Sequence, residues 1–292
     1  MKIIRILSRD SALAIRQAEL VAAAIKRYDP ALQTELITMK TTGDLILDRT
    51  LDEIGGKGLF VKELDDALLC GAGDISVHSC KDLPVGDKPA LPLVAFSARE
   101  DARDALVLPL GVTGLDAAKP IGCSSARRAV QLRALYPEMS VKPVRGNVPT
   151  RLSKLDGGEY SALVLAAAGL RRLGLAHRIS RLFEPEELLP AACQGIIAVQ
   201  AISGANTEYL RLFHSAESEL IARAERAFTG ALGADCSSPV AAYAVWHGDK
   251  YKISGMLVGK DGTPYYDSAT STAETLTATA QSLAERMKNE QR

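Results

Sequence analysis

The chain twice repeats one plan: a β-branched run, a short polar junction, and a segment whose apolar residues recur three and four apart. Lys2-Ile3-Ile4-Arg5-Ile6-Leu7 reads as a strand and Ser8-Arg9-Asp10-Ser11 as the junction. Leu13, Gln17, Leu20, Val21, Ala24 and Ile25 then form one helical stripe. Ile121-Gly122-Cys123, Ser124-Ser125 and a helix from Ala126 through Val130, Leu132 and Leu135 repeat it. Strands alternating with helices predict α/β layers, and open α/β sheets collect ligands beyond their strand ends. Each junction is also a helix N-terminus, where free N–H groups and the dipole favour an anion.

The junction that organises the rest is Val77-His78-Ser79-Cys80-Lys81-Asp82-Leu83-Pro84. Ile75 and Val77 end a buried strand. Pro84 cannot continue a ladder and holds Leu83 extended, so Lys81 and Asp82 stand at the strand's end. One carboxylate beside one ammonium is a candidate acid/base for an anionic substrate. It is equally a structural ion pair on a loop.

The other junctions present cations. Arg9 precedes a helix that Asp10 or Ser11 caps. Arg127 and Arg128 fall in a first helical turn, against the dipole, which costs stability unless a carboxylate or phosphate meets them. Arg145 and Arg151 flank a helix start that Pro149 favours, and Arg171-Arg172 follow the strand Ala162–Leu165. Gly55-Gly56-Lys57-Gly58 lacks the spacing of a phosphate-binding P-loop. It reads either as a lysine on a mobile lid or as a plain glycine-rich helix entry.

Formal net charge is zero, so any anion site rests on local clustering, and no general attraction to nucleic acid is expected. No apolar run nears the roughly 20 residues of a membrane span, and no targeting leader is read. The charge run Arg99–Asp104 reads as a solvated face and a domain crossing. After a long helix from Glu217, three strands with an Asp261-Gly262 turn and a closing helix form a small α+β unit. Five cysteines without CxxC spacing argue against disulfides and structural zinc, and point to a reducing cytosol. Cys236 alone lies in a polar Gly/Asp/Ser/Pro loop, where a thiol is a nucleophile, an attachment point or neither. The four histidines have no metal-ligand spacing.

Seven ordered motifs are similar to those of the porphobilinogen deaminase (hydroxymethylbilane synthase) family: Ser8–Ala14, Gly55–Leu64, Val77–Pro84, Gly122–Arg128, Arg145–Leu155, Leu189–Gly195 and Glu225–Pro239. The resemblance implies two α/β domains like the halves of a type-II periplasmic-binding-protein fold, 1–97 with 196–214 and 98–195. It also implies a third, α+β domain with a three-stranded antiparallel sheet, 215–292. It further implies a cytoplasmic, monomeric enzyme that joins four porphobilinogen units, releases ammonia at each step, and hydrolyses the product free as hydroxymethylbilane. The primer is a dipyrromethane cofactor, held by a thioether that matches Cys236, and the catalytic carboxylate matches Asp82. Cofactor-binding positions match Lys81, Asp82, Ser125, Arg127, Arg128 and Arg145. Substrate-binding positions match Arg9, Ser11, Lys57, Arg145, Arg151 and Arg172. No metal, nucleic acid or membrane is implied.

Asp10, Ala12, Cys80, Cys123, Cys193, Gln200 and Ser238 depart from residues frequent in that family, and none removes a charged motif residue. Asp10 adds a negative charge beside Arg9. A non-catalytic anion-binding protein and an inactive relative remain the competing readings.

Overall fold

The computed structural model describes residues 3–45, 58, 61–86, 88–235 and 238–291. The chain begins β1 (Ile3–Arg9), α1 (Ala12–Tyr28), β2 (Gln33–Met39), α2 (Lys62–Leu69), β3 (Ile75–Ser79), β4 (Leu93–Phe96) and β5 (Asp104–Val107). It continues β6 (Ile121–Gly122), α3 (Ala126–Leu135), β7 (Val141–Lys142), α4 (Val148–Asp156), β8 (Ala162–Ala166), α5 (Ala167–Arg172), β9 (Arg181–Leu182) and β10 (Ile197–Gln200). It closes with α6 (Ala216–Ala231), β11 (Ala241–His247), β12 (Lys250–Val258), β13 (Pro264–Ser271) and α7 (Leu276–Glu290). These elements form two compact units, Met1–Glu100 with Ile196–Glu219 and Asp101–Gly195 with Leu220–Arg292.

The first unit is built on a five-stranded sheet in the order β2-β1-β3-β10-β4. β1 runs parallel to β2 and β3, whereas β10 is antiparallel to β3 and β4. Ile4, Ile6 and Leu7 of β1 are buried, and in β3 all four residues from Ile75 to His78 are buried, the polar Ser76 and His78 alternating with the apolar Ile75 and Val77. Ile4, Ile6, Val77 and Val199 pack with Val21 and Ile25 of α1. Each such side chain contributes about 1.5–3 kcal/mol on burial.

The second unit carries a sheet of the same pattern, β7-β6-β8-β5-β9, with β6 parallel to β7 and β8 and β5 antiparallel to β8 and β9. In both sheets one antiparallel strand is inserted beside the third parallel strand. The same unit holds an antiparallel sheet, β11-β12-β13. Leu276, Ala280, Leu283, Ala284 and Met287 are the buried stripe of α7, which packs on β12 and β13. At Gly255 an added Cβ would come within 2.2 Å of Phe228, so β12 and the ring of α6 meet where only a glycine fits.

Two sequence expectations need correction. The run Arg99–Asp104 is not a solvated face throughout, because Asp104 opens β5 and is fully buried. Arg171 and Arg172, placed at a junction after the strand Ala162–Leu165, end the helix α5 instead. β7 stops at Lys142, because Pro143 has no N–H to add to a ladder.

Candidate functional site

In the first unit, the site grows from the carboxyl ends of β1 and β3. Ser11 sits in extended conformation and its Oγ accepts from the Ala14 N–H at 3.3 Å, which starts α1 immediately after Arg9. Beyond β3 the backbone turns once in a 3-10 helix, Cys80–Asp82, and Leu83 then returns to the extended conformation that Pro84 requires. The Cys80 N–H donates to the Ile196 carbonyl at 3.0 Å, so this turn is pinned to the entrance of β10. Arg9, Ser11, Gln17, His78, Ser79 and Asp82 line one hollow of about 60 Å³. Lys81 lies in the same turn as Asp82. Lys57 lies outside the described residues.

Two polar groups in this wall were not singled out from the sequence. Gln17, read only as part of the helical stripe, is buried, and its amide exchanges hydrogen bonds with Ser79 at 2.9 and 3.2 Å. His78 is buried, with Nε2 at 2.8 Å from the Ser76 hydroxyl. Burial, then the charges of Lys88 and Arg9, push its imidazolium down to about 3, so the ring is neutral at physiological pH.

In the second unit, Ser125 caps α3, its Oγ accepting from the Arg128 N–H at 3.5 Å. Arg127 and Arg128 follow, and both are buried. The carboxylate that the dipole argument demands comes partly from inside. Asp104 Oδ2 accepts from Arg127 Nη1 at 2.6 Å, and Asp104 Oδ1 accepts from Arg128 Nε and Nη2 at 2.9 and 2.6 Å. Gln194 Nε2 donates to the same Oδ1 at 2.8 Å. Although burial alone would raise it, the two guanidinium groups hold the Asp104 carboxyl far below the usual carboxylate range. One buried negative charge against two buried positive ones leaves a net positive site. Arg127 Nε is buried with no hydrogen-bond partner. A buried cation with an unused donor fits a ligand carboxylate.

The remaining arginines are held by backbone carbonyls or helix starts. Asn147 caps α4 by accepting from the Thr150 N–H at 3.0 Å, which sets Arg145 before the helix and Arg151 in its first turn. Arg151 Nε donates to the Gly146 carbonyl at 2.7 Å. Arg172 ends α5 and donates through Nη2 to the Gly195 carbonyl at 2.5 Å. The loop before β10 is fixed as well. Cys193 takes a left-handed φ of 62°, and its N–H donates to Glu225 Oε2 at 2.5 Å. Glu225 Oε1 accepts from the Ala244 N–H of β11 at 2.7 Å. Cys236 lies outside the described residues. The residues that bracket 236–237 bond to each other, Ser238 N–H donating to Asp235 Oδ1 and Asp235 N–H to Ser238 Oγ, each at 3.0 Å.

In the second unit, Asp104, Gln131, Gln194 and Glu225 are polar residues that sequence reasoning missed, beside Gln17 and His78 in the first. The signal available was an acidic residue opening an apolar run, Asp104-Ala105-Leu106-Val107. Among the described residues no group of three His, Cys, Asp or Glu side chains could hold a metal ion, and no helix is long and apolar enough to cross a membrane.

Residues 4–209 match the family model described as porphobilinogen deaminase, dipyromethane cofactor binding domain, and residues 220–289 match porphobilinogen deaminase, C-terminal domain. The chain is 56% identical over 262 residues to the porphobilinogen deaminase of Acetivibrio thermocellus, covering 90% of each chain. It is 62% identical over 244 residues to that of Ruminiclostridium cellulolyticum, covering 84% of this chain and 83% of the relative. Among solved structures it is similar to the methionine-binding protein MetQ, with a TM-score of 0.46 and 13% identity over 76% of this chain and 94% of that one.

Proposed function

This chain belongs to the porphobilinogen deaminase family, and from that premise we propose that Asp82 is its catalytic carboxylate and Cys236 the thiol that carries its dipyrromethane. The enzyme joins four porphobilinogen units head to tail, releasing ammonia at each step, and hydrolyses the linear product free as hydroxymethylbilane. When bound, the dipyrromethane supplies the nucleophilic pyrrole end on which the chain is built.

Each pyrrole unit carries an acetate and a propionate, so the growing chain is strongly anionic. Arg9, Ser11, Lys57, Arg145, Arg151 and Arg172 bind substrate carboxylates, and guanidinium forks suit them because they bond carboxylates bidentately. Lys81, Ser125, Arg127, Arg128 and Arg145 bind the cofactor's carboxylates, and Asp82 faces its pyrrole N–H groups. As ammonia leaves, positive charge develops on the incoming pyrrole. Asp82 stabilises that cation and handles the pyrrole N–H protons, as the one carboxylate among the described residues that line the hollow.

The observation that carries this reading is the hollow at the ends of β1 and β3, which is lined by the Asp82 carboxylate together with Arg9 and Ser11. The division into domains 1–97 with 196–214, 98–195 and 215–292 belongs to the same proposal, as does a monomer working in the cytoplasm. Among the described residues, Cys70, Cys80, Cys123 and Cys193 form no disulfide. Nucleic acid and membrane have no part in it.

The intact mass of the purified chain tests the assignment. The wild type carries two covalent pyrrole units and turns pink with Ehrlich's reagent, and Cys236→Ser carries none. Two pyrrole units on that variant would refute the thiol's role, and a bare wild-type polypeptide would favour an anion-binding protein or an inactive relative.

A further inference from the structure

The pair Arg127 and Arg128 has a partner that neither the sequence motifs nor the family's description assigns. We propose that Asp104 is a positioning residue for cofactor capture: it clamps Arg127 by one end of its guanidinium and leaves the other edge for a carboxylate of the dipyrromethane. This rests on the reading of Arg127 as a cofactor ligand.

A guanidinium has five N–H donors in a fixed planar fork. Arg127 Nη1 is divided between Asp104 Oδ2 at 2.6 Å and the Leu189 carbonyl at 2.8 Å. That carbonyl is itself held, because the N–H of the same residue, Leu189, donates to Gln131 Oε1 at 2.8 Å, and Gln131 Nε2 donates to the Leu189 carbonyl at 3.1 Å. With Nη1 fixed at two points the plane of the fork is fixed, and buried Nε is left without an acceptor. Nε and the adjacent Nη2 form the side-on edge that matches a carboxylate.

Asp104 also sets the charge. Two guanidinium groups buried without it would repel each other, and two carboxylates in its place would leave nothing for a ligand to neutralise. One carboxylate between two arginines keeps the pair folded and leaves one positive charge for the ligand. Asp104 touches neither cofactor nor reacting atoms in this scheme.

The test loads full-length apoprotein with hydroxymethylbilane and follows the covalent oligopyrrole by intact mass. In loading, the Cys236 sulphur replaces the hydroxyl of the hydroxymethyl carbon, and the displaced hydroxyl leaves as water with the thiol proton. For Asp104→Asn the hydroxymethylbilane concentration at half-maximal loading rate rises roughly tenfold or more, as expected for a mispositioned charged hydrogen bond. Its final covalent fraction equals that of the wild type, because the thiol is untouched. A lowered final fraction at an unchanged half-maximal concentration would mean that Asp104 is merely structural, and would overturn the proposal. If Asp104→Asn does not fold, Asp104→Glu retains the charge one methylene further out and shows the same rise. Loading of that variant at the wild-type concentration overturns the proposal too. A wild-type chain that takes up no oligopyrrole defeats the family-based assignment of the thiol instead.

Discussion

Asp82 is an acidic group in a wall that otherwise offers Arg9, Ser11, Gln17, Ser79 and a neutral imidazole. Its replacement by Asn conserves size and the 3-10 turn but removes the negative charge. We expect Asp82→Asn to keep the wild-type circular dichroism and, when apoprotein is supplied with preformed tetrapyrrole, its bound primer. Its kcat for ammonia release falls by roughly 10²–10⁴-fold, the usual weight of a general acid/base. Turnover near the wild-type rate would rule out the role. Pro84 and the apolar run before the motif already located this residue at a strand's end. Asp104 was not legible in the same way. It closes a run of six residues, Arg99–Asp104, five of them charged, and the one mark that sets it apart is the apolar run Ala105-Leu106-Val107 that follows it. Only the register of β5 against β8, where Asp104 pairs with Ala166, puts it beneath the first turn of α3.

At the level of elements, polar caps and breakers were easy to read. Ser11, Ser125 and Asn147 each accept a backbone N–H at the start of a helix, because short oxygen-bearing side chains compete for those donors. Long-range fit was not readable. Gly255 is an unremarkable residue in a strand until the ring of Phe228 is placed over it. A methyl group there would lie 2.2 and 2.4 Å from two ring carbons of a fully buried Phe228, and 3.1 Å from Met287 Sδ. Gly255→Ala should therefore cost about 1–3 kcal/mol by overpacking. A thermal melt should show it as a Tm lower by roughly 3–10 °C. An unchanged melting point would mean that α6 and β12 are less tightly apposed than described.

For the molecule as a whole, the duplicated sheet order follows from two similar strand-junction-helix patterns, and that much the sequence made visible. Which antiparallel strand completes each sheet it did not, since β10 and β5 are short apolar runs with no partner marked in their composition. Global stability should carry a mark of the buried ring near the site. His78 titrates at about 3 when folded and at about 6.5 when unfolded, so the unfolded chain binds the extra proton between those values. Stability is therefore full above pH 6.5 and falls as the medium is acidified, by about 3 kcal/mol at pH 4.5. Asp104, whose carboxyl is depressed instead, keeps its contribution until the pH drops below about 3.9 and so adds only a later limb. Urea midpoints measured from pH 7 to 4.5 should slope for the wild type and be flatter for His78→Gln. Equal slopes would mean that the ring is not buried in its neutral form.

β10 lies between β3 and β4, yet it is translated some hundred residues after them. A ribosome that has released only the first hundred residues has therefore released two pieces of a sheet with a gap between them, each with an unpaired edge open to aggregation. The second sheet has no such delay, because its inserted strand, β5, is the first of its strands to emerge. Synthesis from the N-terminus thus completes the later sheet first, and the earlier one closes around a strand delivered from beyond it.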